Sequence, residues 1–96
     1  MQIEFESVVT RWDKRVESWF FATMPEELSL ELRELPSPPR GFGSLRVRAR
    51  IGSSIWTTSI FFSGSSFVLQ LKKAIRQEQA IAEGDVVTVD LDIIDL

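Results

Sequence analysis

Residues 45–51 set Leu45, Val47, Ala49 and Ile51 against Arg46, Arg48 and Arg50 in strict alternation. A period of two puts the apolar set on one face of a strand and the guanidinium groups on the other. A helix would scatter both sets around its circumference, so this stretch commits the chain to a sheet with one buried face. Gly52-Ser53-Ser54 follows as a hairpin turn, and residues 55–62, rich in β-branched and aromatic side chains, run back as the next strand.

The rest of the chain divides by the same logic. Ile3, Phe5 and Val9 alternate with Gln2, Glu4, Glu6 and Thr10 as a half-buried strand. Trp12-Asp13-Lys14-Arg15 reads as its turn, and residues 16–22 as the returning strand. The inward face of that strand stays open, because Trp19, Phe20 and Phe21 are consecutive. Pro25 suits the first position of a helix, with Glu26 and Glu27 at its positive end and Leu28, Leu32 and Leu35 as its buried stripe. Pro36-Ser37-Pro38-Pro39 ends it and leads into the loop Arg40-Gly41-Phe42-Gly43.

Ser63-Gly64-Ser65-Ser66 is a second turn before a short strand at 67–69. Residues 71–79 have a helical composition, with Leu71, Ala74, Ile75 and Glu78 on one face. Glu83-Gly84-Asp85 turns the chain into a last strand over 86–94, where Val87, Val89, Leu91 and Ile93 alternate with Thr88, Asp90 and Asp92. The expectation is one mainly β domain spanning residues 1–96: six strands and two short helices, arranged as a small closed or split β-barrel.

Charge is strongly segregated along this framework. Between positions 35 and 77 lie seven basic side chains (Arg40, Arg46, Arg48, Arg50, Lys72, Lys73 and Arg76) and no acidic one. The flanks hold all fourteen carboxylates against four bases, so a net charge of -3 hides two opposite fields. The acidic balance disfavours bulk binding to nucleic acid or membrane surfaces.

With no Cys and no His, disulfides, thiolate chemistry and the commonest general base and transition-metal ligand are all excluded. Asp85, Asp90, Asp92 and Asp95 lack the spacing of a hard-metal loop, and the Ser-rich turns lack a partner base. No catalytic residue, metal or cofactor is expected. The N-terminus has no basic region leading an apolar run, and no stretch reaches membrane-spanning length, so a cytoplasmic protein is expected.

Three stretches together resemble a known bacterial family. They are Trp19-Phe20-Phe21-Ala22-Thr23-Met24-Pro25-Glu26-Glu27; Arg40-Gly41-Phe42-Gly43-Ser44 with Val47, Ile51-Gly52 and Trp56-Thr57-Thr58-Ser59-Ile60-Phe61; and Phe67-Val68-Leu69 with Lys72-Lys73-Ala74-Ile75-Arg76 and Gly84-Asp85-Val86-Val87-Thr88-Val89. In order and spacing they resemble the small DUF1905 family, sometimes fused to a YdeI/OmpD-associated, bacteriocin-protection type segment. This chain departs from the family pattern at Phe62 and Gln70, where prolines are usual, and at Phe67, where a Tyr is usual. The resemblance implies a double-split β-barrel akin to that of AbrB and MazE-type transcription factors, and it assigns no activity.

Two readings of the arginine row follow. Arg46, Arg48 and Arg50 could grip phosphate or carboxylate groups, or they could pair with Asp90, Asp92, Glu4 or Glu6 on neighbouring strands. Lys72, Lys73 and Arg76 either extend a basic patch or make a solvated helix face. Trp12, Trp19 and Trp56 either line a cleft or close the core; Trp56 is expected in the core, and Phe42 is the expected exposed aromatic. The functional expectation is a non-enzymatic binding or interaction module. Its contact rim is placed at Arg40, Phe42, Arg46, Arg48 and Arg50, with a protein or a small anionic ligand as partner. The alternatives are AbrB-like nucleic-acid binding, or binding of a small anionic ligand in the barrel mouth.

Overall fold

The computed structural model describes residues 1–14, 17–34 and 44–94. In chain order these form β1 (Gln2–Val8), β2 (Thr10–Lys14), β3 (Glu17–Thr23), α1 (Glu26–Glu34), β4 (Ser44–Ile51), β5 (Ser54–Ser63), β6 (Ser66–Gln70), α2 (Lys73–Glu78) and β7 (Val86–Ile93). The strands form one curled, antiparallel seven-stranded sheet in the order β1-β7-β4-β5-β6-β3-β2. The fold is mainly β, as expected.

The strand count differs from the expected six because the first strand breaks in two at Val9. Its N–H donates to the Asp85 carbonyl (2.8 Å) and its carbonyl accepts from the Gly84 N–H (2.9 Å). Before Val9 the chain pairs with β7; after it, with β3. The two end strands of the sheet are therefore joined through one residue, which forces the sheet to curl. Ser7 ties that junction, its Oγ accepting from the Thr23 N–H of β3 (2.9 Å). Trp12, Asp13 and Lys14, expected in a turn, pair with β3 instead, and Arg15 lies outside the described residues.

The core follows the alternation. Val47, Ala49, Ile60, Leu69, Val89 and Leu91 are buried inside the curl, and Leu32 of α1 covers one side. Ser29 seats that helix: its hydroxyl donates to the Pro25 carbonyl (3.1 Å) and accepts from the Phe67 N–H (3.0 Å). Leu28 packs beside it, while Leu35 lies outside the described residues. Leu71, two residues before α2, and Ile75 within it are buried but Ala74 is exposed, a correction to the expected helix face. Six residues make less than two turns, so α2 cannot present a full stripe.

Two tight turns organise the hairpins. Gly52 and Gly64 have φ of 58° and 67° and each sits first in a two-residue loop, the position where a type II′ turn needs a positive φ. The end of α2 solves the same problem without glycine. Ala80 adopts φ 51°, the Ile81 N–H reaches the Arg76 carbonyl (2.8 Å) and the Ala80 N–H the Gln77 carbonyl (3.4 Å). This is the Schellman arrangement, with Ile81 packed back against the core.

Candidate functional site

The sheet register places every predicted strand charge. Arg48 stands across from Asp92 and Arg50 across from Asp90. The Arg50 guanidinium holds Asp90 at 2.9 Å, and Arg48 lies 3.9 Å from Asp92, whose other oxygen is 3.6 Å from the N-terminal amine. Acid-bearing β7 is thus the neighbour of arginine-bearing β4, and opposite charges distant in sequence meet on the outer face. Arg46 is also exposed on that face, and its main-chain carbonyl accepts from the Ile94 N–H at 2.9 Å. A shallow depression of about 160 Å³ beside Arg48 and Arg50 is lined by Asp90 and Asp92 as well. Arg40 and Phe42, the other two residues of the expected rim, lie outside the described residues.

Arg76 does not join Lys72 and Lys73 in a shared basic patch. Its guanidinium lies over the Phe20 ring, 3.9 Å from the centroid, and its Nε donates to the Leu71 carbonyl at 3.1 Å. That contact holds α2 and the segment before it against Phe20 of β3. Arg33 of α1 covers Phe62 in the same way at 4.3 Å, and Phe62 meets Phe67 edge-on at 5.2 Å. Both cations serve the fold. Ser54 bonds Glu78, and Gln79 donates to Ser53 and Ser54, so the serines of the first turn hold α2.

Trp56 is half-buried against the core, with a buried Nε1 that has no hydrogen-bond partner among the described residues. No group of three or more Asp or Glu side chains among the described residues is placed to hold a metal ion. No helix among them is long and apolar enough to cross a membrane.

The largest departure from the sequence reading is an aromatic surface on the outer face of β2, β3, β5 and β6. Ala22 and Phe20 turn inward, so Trp19 and Phe21 must turn outward. Trp12 pairs directly with Trp19, and the Phe21 centroid lies 6.3 Å from each tryptophan ring. Val68 of β6 sits beside Phe61 of β5, which extends the patch across the sheet. Trp12 is 58% exposed, Phe61 49% and Trp19 37%. Together with Val68 they line a shallow cleft of about 360 Å³, with Ser63 and Gln70 at its rim.

Trp12 and Trp19 were visible in sequence as cleft candidates, but Phe61 was not. Its signal was parity: Ile60 fills the core, so its neighbour must face out.

These features define a small, mainly β domain with paired surface charges and an exposed aromatic sheet face. The chain belongs to the DUF1905 family, a domain of unknown function, whose sequence profile matches residues 5–91. No curated protein matches the chain.

Proposed function

We propose that this domain is a non-enzymatic binding module of the bacterial cytoplasm and that a protein partner docks on its aromatic face. The observation that carries the reading is the convergence of Trp12, Trp19, Phe21 and Phe61 on solvent. Rings gain most from burial inside the curl, yet three strands hold these outside it. A patch with large aromatics at its centre and Ser63 and Gln70 at its rim has the anatomy of a protein-binding surface.

The expected arginine rim is the weaker candidate. A duplex or a small anion requires unpaired guanidinium groups, and Arg48 and Arg50 already have carboxylate neighbours. The finer fold reading goes with this proposal: with β1 and β2 counted as one strand bent at Val9, the sheet becomes a six-stranded double-split barrel.

The test uses the tryptophan indole N–H resonances of the ¹⁵N-labelled chain as reporters during a screen of small aromatic and peptide fragments. Hits should move the Trp12 and Trp19 signals and leave Trp56 in place. Hits gathered at Arg46, Arg48 and Arg50 instead, or a DNA affinity that falls steeply with salt, would overturn the reading in favour of an anion site.

A further inference from the structure

Among the described residues, the first strand has an unpaired edge. The Met1 carbonyl accepts from the Ile93 N–H and the Val9 N–H donates to the Asp85 carbonyl, each at 2.8 Å. The β1–β7 register between them is continuous. Antiparallel alternation therefore turns the main-chain groups of residues 1, 3, 5, 7 and 9 toward β7. The N–H and C=O groups of Gln2, Glu4 and Glu6 point the other way, and among the described residues no strand pairs with them.

A groove runs along that edge. It has a volume of about 400 Å³ between β1 and α1, with Ile3, Leu28 and Leu32 as apolar floor and Glu4 and Glu31 at its margins. The outer side of β1 carries Glu4 and Glu6, which form no ion pair among the described residues, and Glu4 stands directly across from Asp90. The edge thus offers backbone donors and acceptors, alternate apolar pockets and an excess of negative charge.

We propose that β1 receives an extended peptide as an added antiparallel strand. The partner alternates Lys or Arg, placed against Glu4 and Glu6, with aliphatic side chains directed into the groove by Ile3, Leu28 and Leu32. The template lies in the same sheet: β4 has this alternation and sets Arg48 and Arg50 against the acids of β7. A second copy of β1 does not fit, because antiparallel pairing would set glutamate against glutamate on the outer face. The proposal is independent of the aromatic face and shares no residue with it.

The experiment uses an acetylated, amidated peptide Leu-Arg-Val-Arg-Ala-Arg-Ile, the sequence of residues 45–51, and the chain without an N-terminal extension. Binding should be saturable, shift the amides of Gln2, Glu4 and Glu6, and slow their hydrogen exchange. The double variant Glu4→Lys, Glu6→Lys should weaken it about tenfold, and the peptide with Glu in place of Arg should bind that variant better than the original. Gln2→Pro removes an outward N–H without touching the β7 ladder and should cost about fivefold. Glu4 and Glu6 are solvent-facing, so the charge reversal tests the proposal even if the proline variant folds poorly.

Backbone N-methylation of the peptide on its pairing edge should abolish binding. Unchanged affinity after N-methylation would reduce the contact to charge attraction and overturn the proposal. Absence of binding would overturn it too, leaving Glu4 and Glu6 as guards against edge-to-edge association. Shifts confined to Trp12 and Trp19 would refute this site while supporting the aromatic face. A concentration-dependent dimer through β1 would name a second copy as the occupant instead.

Discussion

Arg50 holds Asp90 through Nη2 at 2.9 Å and Nε at 3.3 Å, and both nitrogens share one carboxylate oxygen, Oδ2. The two residues are cross-strand neighbours on β4 and β7, forty positions apart in sequence. Arg50 is exposed and Asp90 partly so, and such a pair biases register more than it stabilises. Asp90→Asn should lower stability by about 0.5–1 kcal/mol in urea unfolding. A loss above about 2 kcal/mol would mean that the pair behaves as a buried one.

Ser29 is the opposite case, fully buried with both hydrogen-bonding roles used. In Ser29→Ala the Phe67 N–H loses its partner where water cannot replace it. The expected cost is about 1–3 kcal/mol, read by chemical denaturation. An effect below about 0.5 kcal/mol would show that α1 is not fixed to β6 through this hydroxyl.

Ala80 closes α2 in a left-handed conformation that a Cβ disfavours. Ala80→Gly keeps both closing hydrogen bonds and removes the strain, so stability should rise by about 0.5–1 kcal/mol after the greater freedom of glycine in the unfolded chain is counted. A lower melting temperature for this variant would contradict the assigned cap.

Trp56 has an indole N–H that is buried and unpartnered among the described residues. Trp56→Phe removes that desolvated donor along with some packing volume, and the two effects oppose each other. The net change should stay within about 1 kcal/mol. A loss beyond about 2 kcal/mol would indicate a bonded indole.

Gly52 has a positive φ, and the Gln79 side chain lies where a Cβ would project. Gly52→Ala should therefore destabilise by about 1–2 kcal/mol. Part of that cost should vanish in the Gly52→Ala, Gln79→Ala double variant, because only the backbone strain then remains. Additive losses in a thermodynamic cycle would separate the turn from the end of α2.

The elements were legible in sequence wherever one face was apolar and the other charged. Residues 45–51 could be placed with the correct face inward, as could Val87, Val89, Leu91 and Ile93, because period-two alternation with charge on one side admits a single solution. The pairing of the arginines with Asp90 and Asp92 was legible only as one of two options. Charge pattern says that opposite signs attract, but the register of β4 on β7 decides which residues meet.

Where neighbours were all apolar, sequence could not decide. Trp19, Phe20 and Phe21 offer no contrast, and their orientation was set by the pairing of β3 with β6, which buries Ala22 and leaves the outer rings in solvent. The break at Val9 was equally hidden, since a strand that changes partners has the same local pattern as one that does not.

Alternation, turn glycines and charge determined by themselves a mainly β domain with an apolar interior and charged outer faces. Its curl, its aromatic face, its charge pairs and the edge at Gln2, Glu4 and Glu6 that no described strand covers came only from tertiary pairing. Which strand lies beside which depends on contacts remote in sequence, and those contacts leave no local trace.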